Sequence, residues 1–177
     1  DQRMIKSPEE VKKIEASQEI TDAAFQHILP YIKEGVTERD LALEIEFFMR
    51  KQGAENVAFE LIVAAGKNGS QCHAVPSDNQ VHKGDFITMD TGALLDGYHS
   101  DMTRTVALGQ PSDEMKKVYG IVLDAQKMAQ DAVAAGKLCR DIDAIARNYI
   151  YSHGYEGRFG HGLGHAVGIE IHENPRY

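Results

Sequence analysis

Three histidines with spacing suited to chemistry lie in HGLGHAVGIEIHENP, residues 161–175: His161, His165 and His172. Glycines in this stretch make a helix improbable, because each costs up to about 1 kcal/mol relative to alanine. We expect extended chain, in which the even separation of His161 and His165 keeps both rings on one face. A structural role is the ordinary alternative for any single histidine, but three in one glycine-punctuated stretch favour a functional site.

Two carboxylates form a second candidate, in MDTGALLDGYHSDMTRT. A two-residue turn at Asp96-Gly97 would pair Leu95 with Tyr98 and leave Asp90 diagonal to Asp101 on the same face. Diagonal partners have Cβ atoms roughly 7 Å apart, so both carboxylates could reach shared cations. A three-residue turn would put them on opposite faces, and a solvated hairpin with acids on its wet side remains the alternative.

The remaining polar residues give weaker signals. His73, in SQCHAVPS, follows a loop rich in Gly, Asn and Ser and could lie at the edge of a site. The other histidines are expected to be structural or exposed, and the acids beside His172 to be solvated; these residues are His27, His82, His99, His153, Glu170 and Glu173.

Several motif classes are missing from the sequence. Cys72 and Cys139 are far apart and form no CxxC pair, which excludes a zinc finger. There is no GxSxG elbow and no GxxxxGK[ST] loop, the common motifs of serine hydrolases and phosphate binding. Metal-assisted chemistry is what remains.

Composition narrows the class further. The 177 residues, 42% hydrophobic and 26% charged, are typical of one globular domain or part of one, with no apolar run near the roughly 20 residues of a membrane span. A net charge of -8 without a basic stripe argues against nucleic-acid binding. Without a signal-peptide pattern or a disulfide framework, a cytoplasmic location is the expectation.

The elements that would position these side chains are predicted to be helices followed by strands. Ser7-Pro8-Glu9-Glu10 has the cap, proline and acids of a helix start, with a kink or end at Pro30. Thr37 would cap a second helix that stops at Gly53. The further predicted elements are a strand over 57–64, a hairpin over 86–108, a helix from Ser112 toward Gly136 and a helix to Gly154. The fold class is therefore α+β.

This order repeats within the chain. Five residues recur 101 positions later with unchanged spacing: Gly35, Arg39, Asp40, Gly53 and Glu55 become Gly136, Arg140, Asp141, Gly154 and Glu156. An internal duplication of about 7–109 and about 112–177 is the interpretation. The second copy lacks the residues for a second hairpin, so residues 1–177 are expected to be an incomplete catalytic domain.

DTGALLDGYHSDMTRT together with HGLGHAVGIEIHENP resembles the pita-bread metallopeptidases, which are Xaa-Pro aminopeptidases, prolidases and, more distantly, methionine aminopeptidases. The likeness runs from about Ile5 to Pro175 and implies two pseudo-symmetric helix-helix-strand halves. His161, four residues before His165, is similar to the proline-specific branch, because methionine aminopeptidases usually lack the first histidine. The implied activity is hydrolysis of the peptide bond before proline by a two-metal-activated hydroxide.

The resemblance also implies residue roles. Asp90 and Asp101 would be ligands of a two-metal centre, and His165 would bind one of the metals. The cofactors would be two divalent ions, manganese first, with cobalt, iron or zinc open. Three histidines would serve the substrate: His172 near the scissile carbonyl oxygen, His73 near the proline side, and His161 shaping the pocket.

Two departures from the family qualify this expectation. The family's two further glutamate ligands would lie beyond residue 177, and its usual N-terminal domain is expected to be missing, so the chain would be the first two thirds or more of a catalytic domain. It is expected alone to bind metal weakly and to turn over little. The intact protein would be a homodimer that cleaves short peptides with proline at the second position and binds neither nucleic acid nor membrane.

The same residues bear on three competing functions. A methionine aminopeptidase would prefer Met-Ala to Xaa-Pro peptides. A non-catalytic peptide-binding module would keep the fold with an unused metal site. A creatinase-like amidinohydrolase would use histidines without metals, and the presence of Asp90 and Asp101 counts against it.

Overall fold

A computed structural model describes residues 2–177. Contacts divide them into two units. The first unit contains the chain up to Pro111 together with Val167–His172, and the second contains Ser112–Ala166 together with Glu173–Tyr177. Both contain helices and strands, which confirms the α+β class.

The first unit opens with a helix whose start is set locally. Helix α1 spans Pro8–Ile28 and begins with a capping box, in which the Ser7 hydroxyl accepts from the Glu10 N–H and the Glu10 carboxylate accepts from the Ser7 N–H. A 3-10 turn at Leu29–Tyr31 follows. The helix therefore ends beside Pro30, as predicted.

The second helix, α2, spans Glu38–Lys51. The hydroxyl of Thr37 accepts from the Asp40 N–H and so caps the predicted start. Gly53 follows with a φ of 104°, a backbone conformation that glycine adopts without strain. The predicted bounds of this helix are confirmed.

Six strands of the first unit form two antiparallel sheets. One sheet contains β1 (Asn56–Val57), β4 (Ala93–Leu95) and β5 (Tyr98–His99), and the other contains β2 (Ile62–Ala65), β3 (Phe86–Thr91) and β6 (Met102–Ala107). The prediction of one strand over 57–64 was wrong. The chain breaks there because β1 pairs with β4 while β2 pairs with β3, on either side of a bend in the hairpin.

The hairpin has the predicted two-residue turn. Leu95 pairs with Tyr98, and the intervening Asp96 and Gly97 have φ values of 49° and 73°, as a type I′ turn requires. The same register continues beyond the bend, where Asp90 pairs with Thr103.

The core of the first unit lies between its helices and the sheets. Nearly inaccessible apolar side chains fill it, from α1, α2 and the inner face of β2 and β3: Ala24, Ile28, Leu41, Ile45, Met49, Val63, Ile87 and Met89. Burial alternates along β3, so Ile87 and Met89 face this core while Asp90 lies on the other side.

The second unit contains two helices and one strand pair. Helix α3 spans Asp113–Ala132, helix α4 spans Cys139–Ser152, and β7 (His165–Ala166) pairs antiparallel with β8 (Glu173–Arg176). A small core joins the helices through Ala125, Ala129, Ile142 and Ala146, with Leu163 and Tyr177 packed against it.

Among residues 2–177, none of the helices is both long enough and apolar enough to cross a bilayer.

Candidate active site

The two candidate carboxylates lie on one face of the hairpin. Asp90 is opposite Thr103, and the continuous register puts Asp101 opposite Gly92, two residues beyond Asp90. Residues two apart on a strand face the same side, so Asp101 is the diagonal neighbour of Asp90. The hydroxyl of Thr103 donates to Asp90 Oδ1 at 2.6 Å and restrains that carboxylate.

Gly92 permits the bend between these two positions. A Cβ atom placed there would collide with the carbonyl oxygen of Ser100 and would lie 2.9 Å from the ring of Phe59. Only glycine lets the two sides of the hairpin approach this closely at the bend.

A buried hydroxyl network ties the bend to helix α1. Ser17, Thr21 and Ser100 are each fully buried. The Ser17 hydroxyl donates to the carbonyl of Ala93 at 2.8 Å, while the Ala93 N–H donates to the Ser100 hydroxyl at 2.9 Å. The hydroxyls of Thr21 and Ser100 are 2.8 Å apart. Sequence reasoning missed this network, although Ser and Thr four apart on the inner face of a helix were a signal.

His73 is exposed in a turn of the segment 66–79. The carboxylate of Glu38 binds this segment through hydrogen bonds. Glu38 is only 1% exposed. Its carboxylate accepts from the Ala65 N–H at 2.8 Å and from the Ser77 hydroxyl at 2.7 Å. Further donors are the Asn68 and Asn79 amides and the Ser77 N–H.

The charge on Glu38 is retained despite this burial. Desolvation alone would raise its pKa, but the hydrogen bonds from Ala65, Asn79, Ser77 and Asn68 outweigh it and hold the pKa below the ordinary value. Sequence reasoning missed Glu38, because a glutamate in the first turn of a helix is normally a solvated partner of the helix dipole.

His161 does not lie on a strand, contrary to the expectation of extended chain shared with His165. Only His165–Ala166 is a strand here, and His161 is exposed in the loop before it. Arg147 binds the backbone of this loop, since it donates to the carbonyl of Phe159 at 2.7 Å and to that of His161 at 2.9 Å. A side chain from α4 therefore holds this part of the backbone.

Arg147 is itself fixed by Asp143, one turn earlier on α4. Two hydrogen bonds of 2.7 and 2.8 Å join the guanidinium to the two carboxylate oxygens. Asp143 also accepts from the Leu163 N–H at 3.1 Å. The hydrogen bonds from Arg147 are the main cause that lowers the pKa of Asp143, and Asp143 in turn raises the pKa of Arg147.

The remaining site candidates lie as follows. His165 is half-buried in β7, with its Nδ1 3.1 Å from the carbonyl of Ala166. His172 is exposed in the first unit. Glu170 is exposed as expected and pairs with Arg3 at 2.8 Å.

The expectation that Glu173 is solvated was wrong. The residue is only 6% exposed, and it starts β8 opposite Ala166. The prediction that the remaining histidines are structural or exposed is confirmed. His27 stacks on Phe48 with ring centroids 4.1 Å apart, and His153 Nδ1 is 2.8 Å from the carbonyl of Tyr149.

The fit of these residues to a divalent cation is partial. Across residues 2–177, His, Cys, Asp and Glu side chains form no group of three or more placed to hold a metal ion. Asp90 and Asp101 nevertheless have carboxylate side chains, which is the donor type that divalent cations take.

Sequence comparison adds the family. The profile described as metallopeptidase family M24 matches residues 12–177. The chain belongs to this family. It is also 44% identical over 176 residues to the Xaa-Pro dipeptidase of Pyrococcus horikoshii, covering 99% of this chain and 50% of that protein.

Solved structures agree with this assignment. An Xaa-Pro dipeptidase from Bacillus anthracis is 47% identical with a TM-score of 0.96, over 98% of this M24 chain and 49% of that one. An X-Pro aminopeptidase from Thermotoga maritima is 44% identical with a TM-score of 0.95, over 99% and 50%. The expected pita-bread family and fold are confirmed, and the chain spans about half the length of the curated relatives it matches.

Proposed function

We propose that the protein is a metallopeptidase that hydrolyses the peptide bond before proline, as an Xaa-Pro dipeptidase or Xaa-Pro aminopeptidase. The observation that supports this proposal is the hairpin register of an M24 chain, in which Asp90 pairs with Thr103 and Leu95 with Tyr98, so that Asp101 would be the diagonal neighbour of Asp90. Relatives named for both activities match the chain at similar identity, so dipeptides and longer peptides are both candidate substrates.

Asp90, Asp101 and His165 are the proposed metal ligands. Two divalent ions are proposed, with manganese first and cobalt, iron or zinc as alternatives. When bound, such ions would supply a hydroxide at neutral pH and a Lewis acid for the substrate carbonyl. Thr103 keeps the Asp90 carboxylate oriented through its 2.6 Å hydrogen bond, which supports Asp90 as a preorganised ligand.

Three histidines are the proposed substrate contacts. The imidazole of His172 would donate a hydrogen bond to the scissile carbonyl oxygen as negative charge develops there. His73 would lie at the proline side, and His161 would shape the pocket. His73, His161 and His172 are exposed, so each ring is accessible to a peptide.

The location, the oligomeric state and the internal duplication of the protein are also proposals. We propose a cytoplasmic location, because Cys72 and Cys139 are free thiols and residues 2–177 contain no disulfide. We also propose a homodimer, which is the expectation from the resemblance to the family. The internal duplication of about 7–109 and about 112–177 also remains a proposal. Gly35 and Gly136, 101 residues apart, support it with φ values of 86° and 83°.

The test compares two matched substitutions in the full-length protein that carries these residues. Asp101→Asn should lower manganese-dependent hydrolysis of Ala-Pro by about 100-fold or more, because it removes a ligand charge. Asp96→Asn makes the same chemical change at the exposed turn, where asparagine tolerates the positive φ, and should leave the rate unchanged. Chelation should abolish the wild-type rate and manganese should restore it.

Other outcomes would contradict the proposal in different ways. Cleavage of Met-Ala in preference to Met-Pro would identify a methionine aminopeptidase. Binding of a proline peptide without cleavage, at any metal concentration, would identify a peptide-binding module. Equal activity of Asp101→Asn and Asp96→Asn would remove Asp101 from the metal site.

A further inference from the structure

The loop 159–163 contains His161 and is organised by side chains rather than by its own backbone. In the described part of the chain, residues 159–163 make no backbone-to-backbone hydrogen bonds. Its backbone groups instead meet the Asp143–Arg147 pair at alternate residues, through the carbonyls of Phe159 and His161 and the N–H of Leu163. One ion pair on α4 therefore defines the path of this loop.

Arg147 makes four hydrogen bonds in this arrangement. Two of its N–H groups bind the two oxygens of Asp143, and others bind the carbonyls of Phe159 and His161. The guanidinium carbon also lies 4.4 Å from the ring centroid of Phe159. A lysine could keep the charge but could not make a bidentate contact and reach two carbonyls from the same plane.

The path from Arg147 to the imidazole is short. Arg147 holds the carbonyl of His161 itself, and the ring of His161 meets the edge of Phe159 with centroids 5.1 Å apart. Leu163, held by Asp143, packs against the core of the second unit. Displacing the guanidinium would release both the backbone of His161 and the ring that restricts it.

We propose that Arg147, oriented by Asp143, is a positioning residue that holds His161 at the place where it shapes the substrate pocket. This inference rests on the proposed Xaa-Pro peptidase function for the role of His161. It assigns to Arg147 no contact with substrate or metal. Its effect on catalysis is exerted through His161.

The experiment uses the full-length protein with Arg147→Lys, and Arg140→Lys as the matched control. Arg140 is on the same helix, and its side chain is 83% exposed. Arg147→Lys should lower kcat/KM for an Xaa-Pro peptide about tenfold, mainly through KM, because a misplaced pocket residue weakens substrate positioning. It should also speed amide hydrogen exchange at Leu163, whose N–H donates to the Asp143 carboxylate that Arg147 holds, while Arg140→Lys should change neither quantity.

A double-mutant cycle separates positioning from a general structural role. In a His161→Ala background, Arg147→Lys should have little further effect on kcat/KM, because the residue through which it acts is gone. A full tenfold loss in both backgrounds, or no loss in either, would overturn the inference.

The failure of the proposed function would look different. Wild-type protein that cleaves no Xaa-Pro peptide at any metal concentration would overturn that function, and with it the catalytic role of His161. Hydrogen exchange would then still report on the anchor. Unchanged exchange of the Leu163 N–H in Arg147→Lys would overturn the claim that the Asp143–Arg147 pair holds this loop.

Discussion

The segments 66–79 and 159–163 contain His73 and His161, and each is held by charge on the second helix of its unit. In the first unit one buried carboxylate, Glu38 on α2, accepts hydrogen bonds from neutral donors around the segment. In the second unit the ion pair of Asp143 and Arg147 on α4 reaches out to backbone carbonyls.

The difference follows from what each segment presents. The segment 66–79 and its flanks turn N–H, amide and hydroxyl donors inward, so an acceptor satisfies them. The loop 159–163 turns two carbonyls toward its helix, so a donor with several N–H groups is needed. Glu38 is also far more buried than the ion pair, and loss of a buried charge network costs more than loss of a partly solvated one.

Helices α2 and α4 also differ in how they begin, since only α2 has a side-chain cap. Thr37 caps α2 through its hydroxyl, whereas Leu138, 101 residues later, makes no side-chain hydrogen bond to cap α4. The proposed duplication would thus have kept backbone geometry while side-chain interactions diverged.

The largest expected effect concerns the two anchors. Glu38→Gln should lower the free energy of unfolding by about 3 kcal/mol, because the amide NH2 would face donors that now reach a carboxylate. Asp143→Asn, the matched change in the second unit, should cost about 1 kcal/mol. Urea unfolding of both variants measures the difference, and equal losses would contradict the contrast in burial.

A second prediction concerns how the free energy of unfolding changes at acidic pH. The pKa of Glu38 is lowered on folding, so its contribution to stability is present above the ordinary value of 4.5 and is lost as pH falls through the lower folded value. Urea unfolding from pH 7 to pH 3 should therefore show the stability gap between wild type and Glu38→Gln shrinking only below 4.5. A gap that stays constant to pH 3 would rule out an ionised Glu38 as the anchor.

The smallest expected effect concerns the helix starts. Thr37→Ala should lower the free energy of unfolding by about 1 kcal/mol, because it leaves a first-turn N–H without its acceptor. Leu138→Thr should raise it by about 0.5 kcal/mol, because it supplies the cap that α4 lacks. Thermal unfolding measures both changes. A lower stability of Leu138→Thr would mean that the apolar contacts of Leu138 contribute more than the new cap.

Local interactions account for what could be predicted from the sequence. The starts of α1 and α2 depend on Ser7 and Thr37, whose partners are three residues away. The hairpin register depends on Asp96-Gly97, since both residues must take positive φ in a two-residue turn. The candidate ligands Asp90 and Asp101 could be related in advance because that turn lies between them.

Only the tertiary structure decided how the candidate residues are supported. Glu38 contacts residues 27 to 41 positions away, and Ser100 meets Ser17 from 83 positions away. The break between β1 and β2 and the irregular path at His161 likewise depend on partners that are not sequence neighbours. Hydrophobic period and turn chemistry describe a residue's immediate neighbours, so they specify elements and register. They contain no information about which distant donor or acceptor will satisfy a buried polar group, and that choice is made only when the elements pack.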